Sequence, residues 1–212
     1  MDNRSKDAWE GWSIVGAVAV ALILVVTMEA MMSGAPVEGV RGIIRATERS
    51  SFALFSLAFT ASAVCYFWPN AWTRWQLRNR RYLGVSFALS HFVHLLAIFA
   101  IGHNAPADLA AGTDATTWIF GGLTYVFIGL MTATSFDSTA RLISRRAWSV
   151  LHTVGAYYIW LVFANSYLSR ALSMPAYIPV GALVIFMLGL RIAARVSRAR
   201  ARLSPASLRP NR

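Results

Sequence analysis

Charge is scarce in this chain of 212 residues: Asp, Glu, Lys and Arg together make up 14%, and only nine residues are acidic. A soluble domain of this size ordinarily carries about 25% charged residues. The shortage, with 57% hydrophobic residues in long runs, excludes the ordinary soluble class and points to a membrane protein. Cysteine is nearly absent. The single Cys65 excludes an internal disulfide and a thiolate cluster for zinc or iron–sulfur, and it reads as a small buried hydrophobe. A GxGxxG fingerprint is missing; Gly121-Gly122 lies inside an apolar run and reads as a packing surface, so the chain brings no dinucleotide-binding unit of its own. Residues 1–10 lack the small-residue cleavage site of a secretory leader.

The apolar runs predict six membrane-spanning helices: about Trp12 to Met32, Ser50 to Trp68, Tyr82 to Ile101, Thr116 to Thr134, Ala147 to Leu168 and Tyr177 to Ala194. They use almost all of the chain. The expected organisation is a cytoplasmic N-terminus over 1–11, an all-α six-helix membrane domain over 12–195, and a basic, disordered cytoplasmic tail over 196–212. A four-helix core is expected from segments two to five. Between the first two spans, Val40, Ile43, Ile44 and Thr47 fall at helical spacing, which predicts a short helix on the membrane surface. Glu29 is expected at the interface near Arg41 and Arg45.

The positive charge is not spread evenly. With six spans, sixteen of the 20 Arg and Lys residues fall on the side of the two termini and four on the other. The positive-inside rule then places both termini in the cytoplasm. The net charge of +11 therefore reports topology and contact with anionic lipid, not nucleic-acid binding.

Four histidines remain to be placed: His91, His94, His103 and His152. Ionisable side chains within membrane helices are costly and are functional by default. Neutral imidazole is a common axial ligand of heme iron. His91 and His94 lie one turn apart behind Arg78, Arg80 and Arg81, and His152 follows Arg145 and Arg146. Gly84, Ala88 and Gly155 are small enough to leave space for a flat ring, and arginines at the cytoplasmic helix ends suit propionates. Zinc is a poorer match, because no carboxylate or cysteine lies at a matching depth. The candidate site residues are thus His91, His94 and His152 as iron ligands, with Arg78, Arg81 and Arg145 beside the cofactor. Counted from the arginine blocks, His91 is offset from His152 by roughly 6 Å and His94 by roughly 10 Å.

Two motifs give a family resemblance. Arg81-Tyr82-Leu83-Gly84 with His94 eleven residues after the leucine resembles the third helix of the ferric reductase-like transmembrane family. That family includes the heme-binding subunit of the bacterial periplasmic methionine sulfoxide reductase, the STEAP metalloreductases and the NADPH oxidases. Thr134-Ser135, Trp148 and Leu151-His152 resemble its signature at the start of helix five. The resemblance covers roughly residues 45–190. It implies a helical bundle in the bacterial inner membrane, binding b-type heme, that acts as the electron-transfer subunit of an oxidoreductase. Its implied donor is a cytoplasmic flavoprotein reductase supplying flavin or nicotinamide electrons, and its acceptor stays open among a periplasmic enzyme, ferric chelates, oxygen and quinone. By the motif the third-helix ligand is His94; by depth it is His91. The position of the second helix-five histidine of the bacterial subunit is Asn165 here, so one heme is expected instead of two. A heme-free scaffold or channel that keeps the fold is the alternative.

Overall fold

Lipid offers no hydrogen bonds, so a chain this apolar must satisfy its backbone internally, and helices do so within one segment. The computed structural model describes residues 9–203. Those residues form nine α-helices: α1 (Trp12–Met32), α2 (Pro36–Phe67), α3 (Ala71–Arg78), α4 (Arg80–Asn104), α5 (Pro106–Gly112), α6 (Ala115–Ala133), α7 (Asp137–Ala140), α8 (Arg145–Ser173) and α9 (Ile178–Leu203). A 3-10 turn, Pro175–Tyr177, joins the last two. Six of them, α1, α2, α4, α6, α8 and α9, are long and apolar enough to cross a membrane. The six predicted spans correspond to these in order.

Helix ends follow local chemistry. Asn70 and Thr73 form a reciprocal capping box that starts α3. Asp114 caps α6 by accepting from the Thr117 backbone at 2.7 Å, and the Thr117 hydrogen bonds hold its carboxyl below the ordinary aspartate range. Ser144 caps α8 at Ala147. Gly11 precedes α1 with φ of 67°, a left-handed conformation that favours glycine. Its N–H donates to Asn79 Oδ1 at 2.9 Å. Beside it, Trp12 packs on Tyr82 and Phe136, and Arg78 pairs with Glu10. The start of α1 is thereby tied to the connections on the same face of the bundle.

Two sequence expectations are corrected. The segment around Val40 to Thr47 is not a separate surface helix: it is continuous with the second span, and α2 runs 32 residues, about 48 Å. This part of α2 lies close against α1. A Cβ on Gly42 would fall 1.9 Å from Glu29 Oε2, so only glycine lets the carboxylate of Glu29 lie against α2. Likewise 196–203 are not disordered but extend α9; the rest of the predicted tail, 204–212, and residues 1–8 of the predicted N-terminal segment lie outside the described residues.

In cross-section α2, α4, α6, α8 and α9 form a closed ring, each touching the next, with the α2–α4 contact the most extensive. Helix α1 packs outside, on α2 and α4. The core therefore has a fifth contributor beyond segments two to five. Val184 and Met187 of α9 are buried with Phe52, Phe55 and Phe59 of α2, Phe87 of α4, Ile128 of α6 and Ile159 and Phe163 of α8. Across the ring, Phe163 meets Phe52, Phe55 and Phe87 at ring separations of 5.4–6.2 Å.

One face of the bundle is stapled by arginine. Carbonyls of α2 accept additional hydrogen bonds from Gln76 (to Leu57), Arg80 (to Ala58), Arg191 (to Phe59) and Arg198 (to Ser62). The long stems cover apolar surface while each head finds an acceptor, which is how a cation is tolerated at this depth.

Candidate cofactor site

A cavity of about 650 Å³ opens inside the ring at the arginine-rich end. That volume lies in the range of about 300–1,000 Å³ usual for small-molecule and cofactor sites. Its α8 wall is Ser149, His152, Thr153, Ala156 and Ile159. Across the ring, α2 supplies Phe55, Ala58 and Phe59, and α4 supplies Gly84, Phe87 and Ala88. Helix α6 closes one side with Ile128 and Met131, and its C-cap Thr134 joins them. A Cβ on Gly84 would meet nothing within 4 Å, so the α4 wall is hollow at that point.

The mouth is cationic. Arg78, Arg80, Arg81 and Arg191 all line it. Two of them are neutralised: Arg78 pairs with Glu10 at 2.7 Å and Arg81 with Asp137 at 2.7 Å. Arg80 and Arg191 pair with no carboxylate among the described residues. Each donates to a backbone carbonyl, and Arg191 lies over the rings of Phe59 at 4.1 Å and Tyr157 at 4.8 Å. Among the described residues the lining thus keeps two positive charges in excess, a setting for a dianionic group.

His152 is the histidine of this cavity. Its ring stacks on Trp148 at 4.1 Å, and Trp148 Nε1 donates to the Thr134 carbonyl. The Thr134 hydroxyl donates to the Leu130 carbonyl and so accepts from His152 Nε2 at 3.0 Å, which leaves the lone pair on Nδ1. Ligation through Nε2 requires the ring to leave Thr134.

His91 and His94 stand in a different layer. Their rings stack at 5.3 Å, and His91 also packs on Tyr125 and Phe163. His94 Nδ1 contacts the Ile44 carbonyl at 3.2 Å and the Thr47 hydroxyl at 3.1 Å. A carbonyl only accepts, so Nδ1 carries the proton and Nε2 is the free nitrogen. Ser50, Ser51 and Ser90 link their hydroxyls beside Thr47, joining α2 to α4. Here His91 Nδ1 and the Tyr125 hydroxyl are buried without a hydrogen-bond partner. Nearby, Glu48 and Arg170 form an ion pair flanked by Tyr167 and Tyr177.

The separation of the two layers can be read on two helices. His152 contacts Thr134 and His91 contacts Tyr125, nine residues apart on α6. On α8, His91 contacts Phe163, eleven residues beyond His152. At 1.5 Å per residue the offset is roughly 13–16 Å. The structure therefore brings His91 and His94 together and does not bring either to His152. The roughly 6 and 10 Å offsets expected from the arginine blocks are too small, because α4 and α8 are not level where their arginines begin.

The remaining candidates divide. Arg78 and Arg81 line the cavity, whereas Arg145 is exposed on the first turn of α8 and outside the lining. Asn165 is exposed, pointing away from the bundle interior. His103 is exposed at the end of α4. Arg191 is the residue that sequence reasoning passed over as a topology charge; its signal was an arginine after Leu188-Gly189-Leu190, still within the apolar sixth segment. Among the described residues no group of three or more His, Cys, Asp or Glu is placed to hold a metal ion. Heme needs no such group, since its porphyrin supplies four ligands and the protein only the axial ones. Apolar walls, the hollow at Gly84, one histidine and two arginines without a carboxylate partner among the described residues are features a heme site would use. The lining departs from the expected pair of axial histidines.

Comparison of the chain with family models, with curated proteins and with solved structures finds no match.

Proposed function

We propose that this chain is a membrane b-type heme protein that carries electrons from a cytoplasmic flavin or nicotinamide donor toward an acceptor on the other side. One observation carries the reading: the cavity of about 650 Å³ that combines His152, apolar walls and two arginines without a carboxylate partner among the described residues. Bound there, heme supplies a one-electron couple of iron, tuned by its ligand and surroundings. His152 offers the imidazole nitrogen. Arg80 and Arg191 would neutralise the propionates, and Arg78 and Arg81 hold the mouth together through their ion pairs with Glu10 and Asp137. Phe55, Phe59, Phe87, Ile128 and Ile159 exclude water. The motifs at Arg81–Gly84 and Trp148–His152 add the family resemblance.

The distribution of Arg and Lys supports cytoplasmic termini, and a bacterial inner membrane is the location the family resemblance implies. A basic cytoplasmic face would steer an acidic flavoprotein reductase toward the cavity mouth, and the acceptor is a periplasmic enzyme, a ferric chelate, oxygen or quinone. The alternative, a heme-free scaffold or channel with the same helices, is favoured by the separation of His152 from the other two histidines.

The experiment is a heme-to-protein ratio with a reduced-minus-oxidised spectrum on the full chain purified after heme-sufficient expression. A ratio near one with a reduced b-type spectrum is expected; a colourless preparation selects the alternative. Because Asn165 faces outward, Asn165→His should leave the ratio unchanged. A rise toward two hemes would show that this position turns inward.

A further inference from the structure

We infer that heme in this cavity is held by His152 alone and keeps an open coordination position that accepts a small neutral ligand such as carbon monoxide. The inference rests on the functional reading above and concerns what stands across the ring from His152. That wall is Phe55, Ala58 and Phe59 of α2 with Gly84, Phe87 and Ala88 of α4. None of these side chains carries a nitrogen or sulfur lone pair. The basic residues beside them, Arg80 and Arg81, carry guanidinium groups, which are donors only and do not ligate iron.

The nearest alternative ligands are accounted for. His91 and His94 lie roughly 13–16 Å along the bundle from His152, while the two axial nitrogens of one iron belong a few ångströms apart. His94 is tethered in that layer by Thr47 and the Ile44 carbonyl. Phe87 packs on His91 at 5.4 Å and lines the cavity, whereas His91 is not among the lining residues. Met131 is on α6, the neighbour of α8, with its sulfur directed at the α8 backbone: a Cβ on Gly155 would fall 2.5 Å from Sδ. The hollow at Gly84 lies on the ligand-free wall, where a diatomic molecule has room.

The test is an absorbance titration of the purified, heme-loaded full chain, reduced with dithionite, with carbon monoxide. A shift of the Soret band that saturates at one carbon monoxide per heme is expected. His91→Ala and His94→Ala should retain both the heme and the shift. Gly84→Leu, which fills the hollow, should weaken carbon monoxide binding while the protein still elutes as the wild type does on size exclusion. A reduced spectrum that carbon monoxide does not change, with heme present, overturns the inference and leaves the heme reading intact. Loss of heme from His91→Ala or His94→Ala, with normal elution, overturns it as well. Absence of heme from the wild-type chain overturns the functional reading and the inference together.

Discussion

His152→Ala is expected to abolish heme retention. Disturbing only the outer partner of a metal-binding histidine typically costs about 10–100-fold in affinity, and removing the ligand itself makes that range a floor. No other histidine lines the cavity, so nothing nearby substitutes. The measurement is the heme-to-protein ratio at matched expression, with elution volume as the check on folding. His152 contributes little that folding needs: its hydrogen bond to Thr134 and its stacking on Trp148 lie at a partly exposed helix end. His152→Gly with added imidazole should recover part of the signal, because the deleted ring leaves space for a free one. A variant that keeps its full complement of heme would move the site away from this cavity.

Phe59→Ala should cause the largest loss of stability among single core changes. Phe59 is only 2% exposed. Its ring stacks with Phe55 at 5.1 Å, meets Tyr157 edge-on at 5.6 Å and lies under the Arg191 guanidinium. In a soluble core a Phe→Ala change costs about 3–5 kcal/mol. Within a membrane the transfer part of that cost is absent, because lipid tails are as apolar as the core. What remains is lost packing and a cation without its ring, together about 2 kcal/mol. Thermal unfolding in detergent should show a clear fall in midpoint for Phe59→Ala and a smaller one for Phe59→Leu. Leu96→Ala, at a position 67% exposed, is the control that should leave the midpoint unchanged. Equal effects at the two sites would mean that the ring of five helices is not the stabilising unit.

Much of the architecture was legible because hydropathy is a local property. Each span from Trp12 to the end of α9 announces itself by twenty or so apolar residues. The charge bias pairs the connections, and Arg81–Asp137 on one face with Arg41–Asp108 on the other agree with that grouping. Less legible was where helices end inside polar sequence. Glycines at 39 and 42 permit α2 to begin at Pro36, yet their use depends on Ser33 and Glu29 of another helix. The arginines after residue 195 read as a tail, although Arg198 reaches back to the Ser62 carbonyl and holds that turn of α9 on α2.

The site divides in the same way. The residue types were plain in the sequence: histidines within apolar runs, arginines before them, small residues between. Spacing also placed His91 beside His94, since three residues make most of one helical turn. Which histidine meets which cavity depends on the relative heights of α4 and α8, and no spacing within one segment contains that quantity. Tertiary packing sets it, through Phe163 lodged against Phe87 and His91. The same packing turns Asn165 outward and brings Arg191, more than a hundred residues from Gly84, into the mouth of the cavity. By itself the sequence determined the membrane class, the six spans and the stock of histidines and arginines. Only the tertiary structure decided that His152 stands with Arg80 and Arg191 and apart from His91 and His94, because helix height and rotation are set by contacts between segments, not within them.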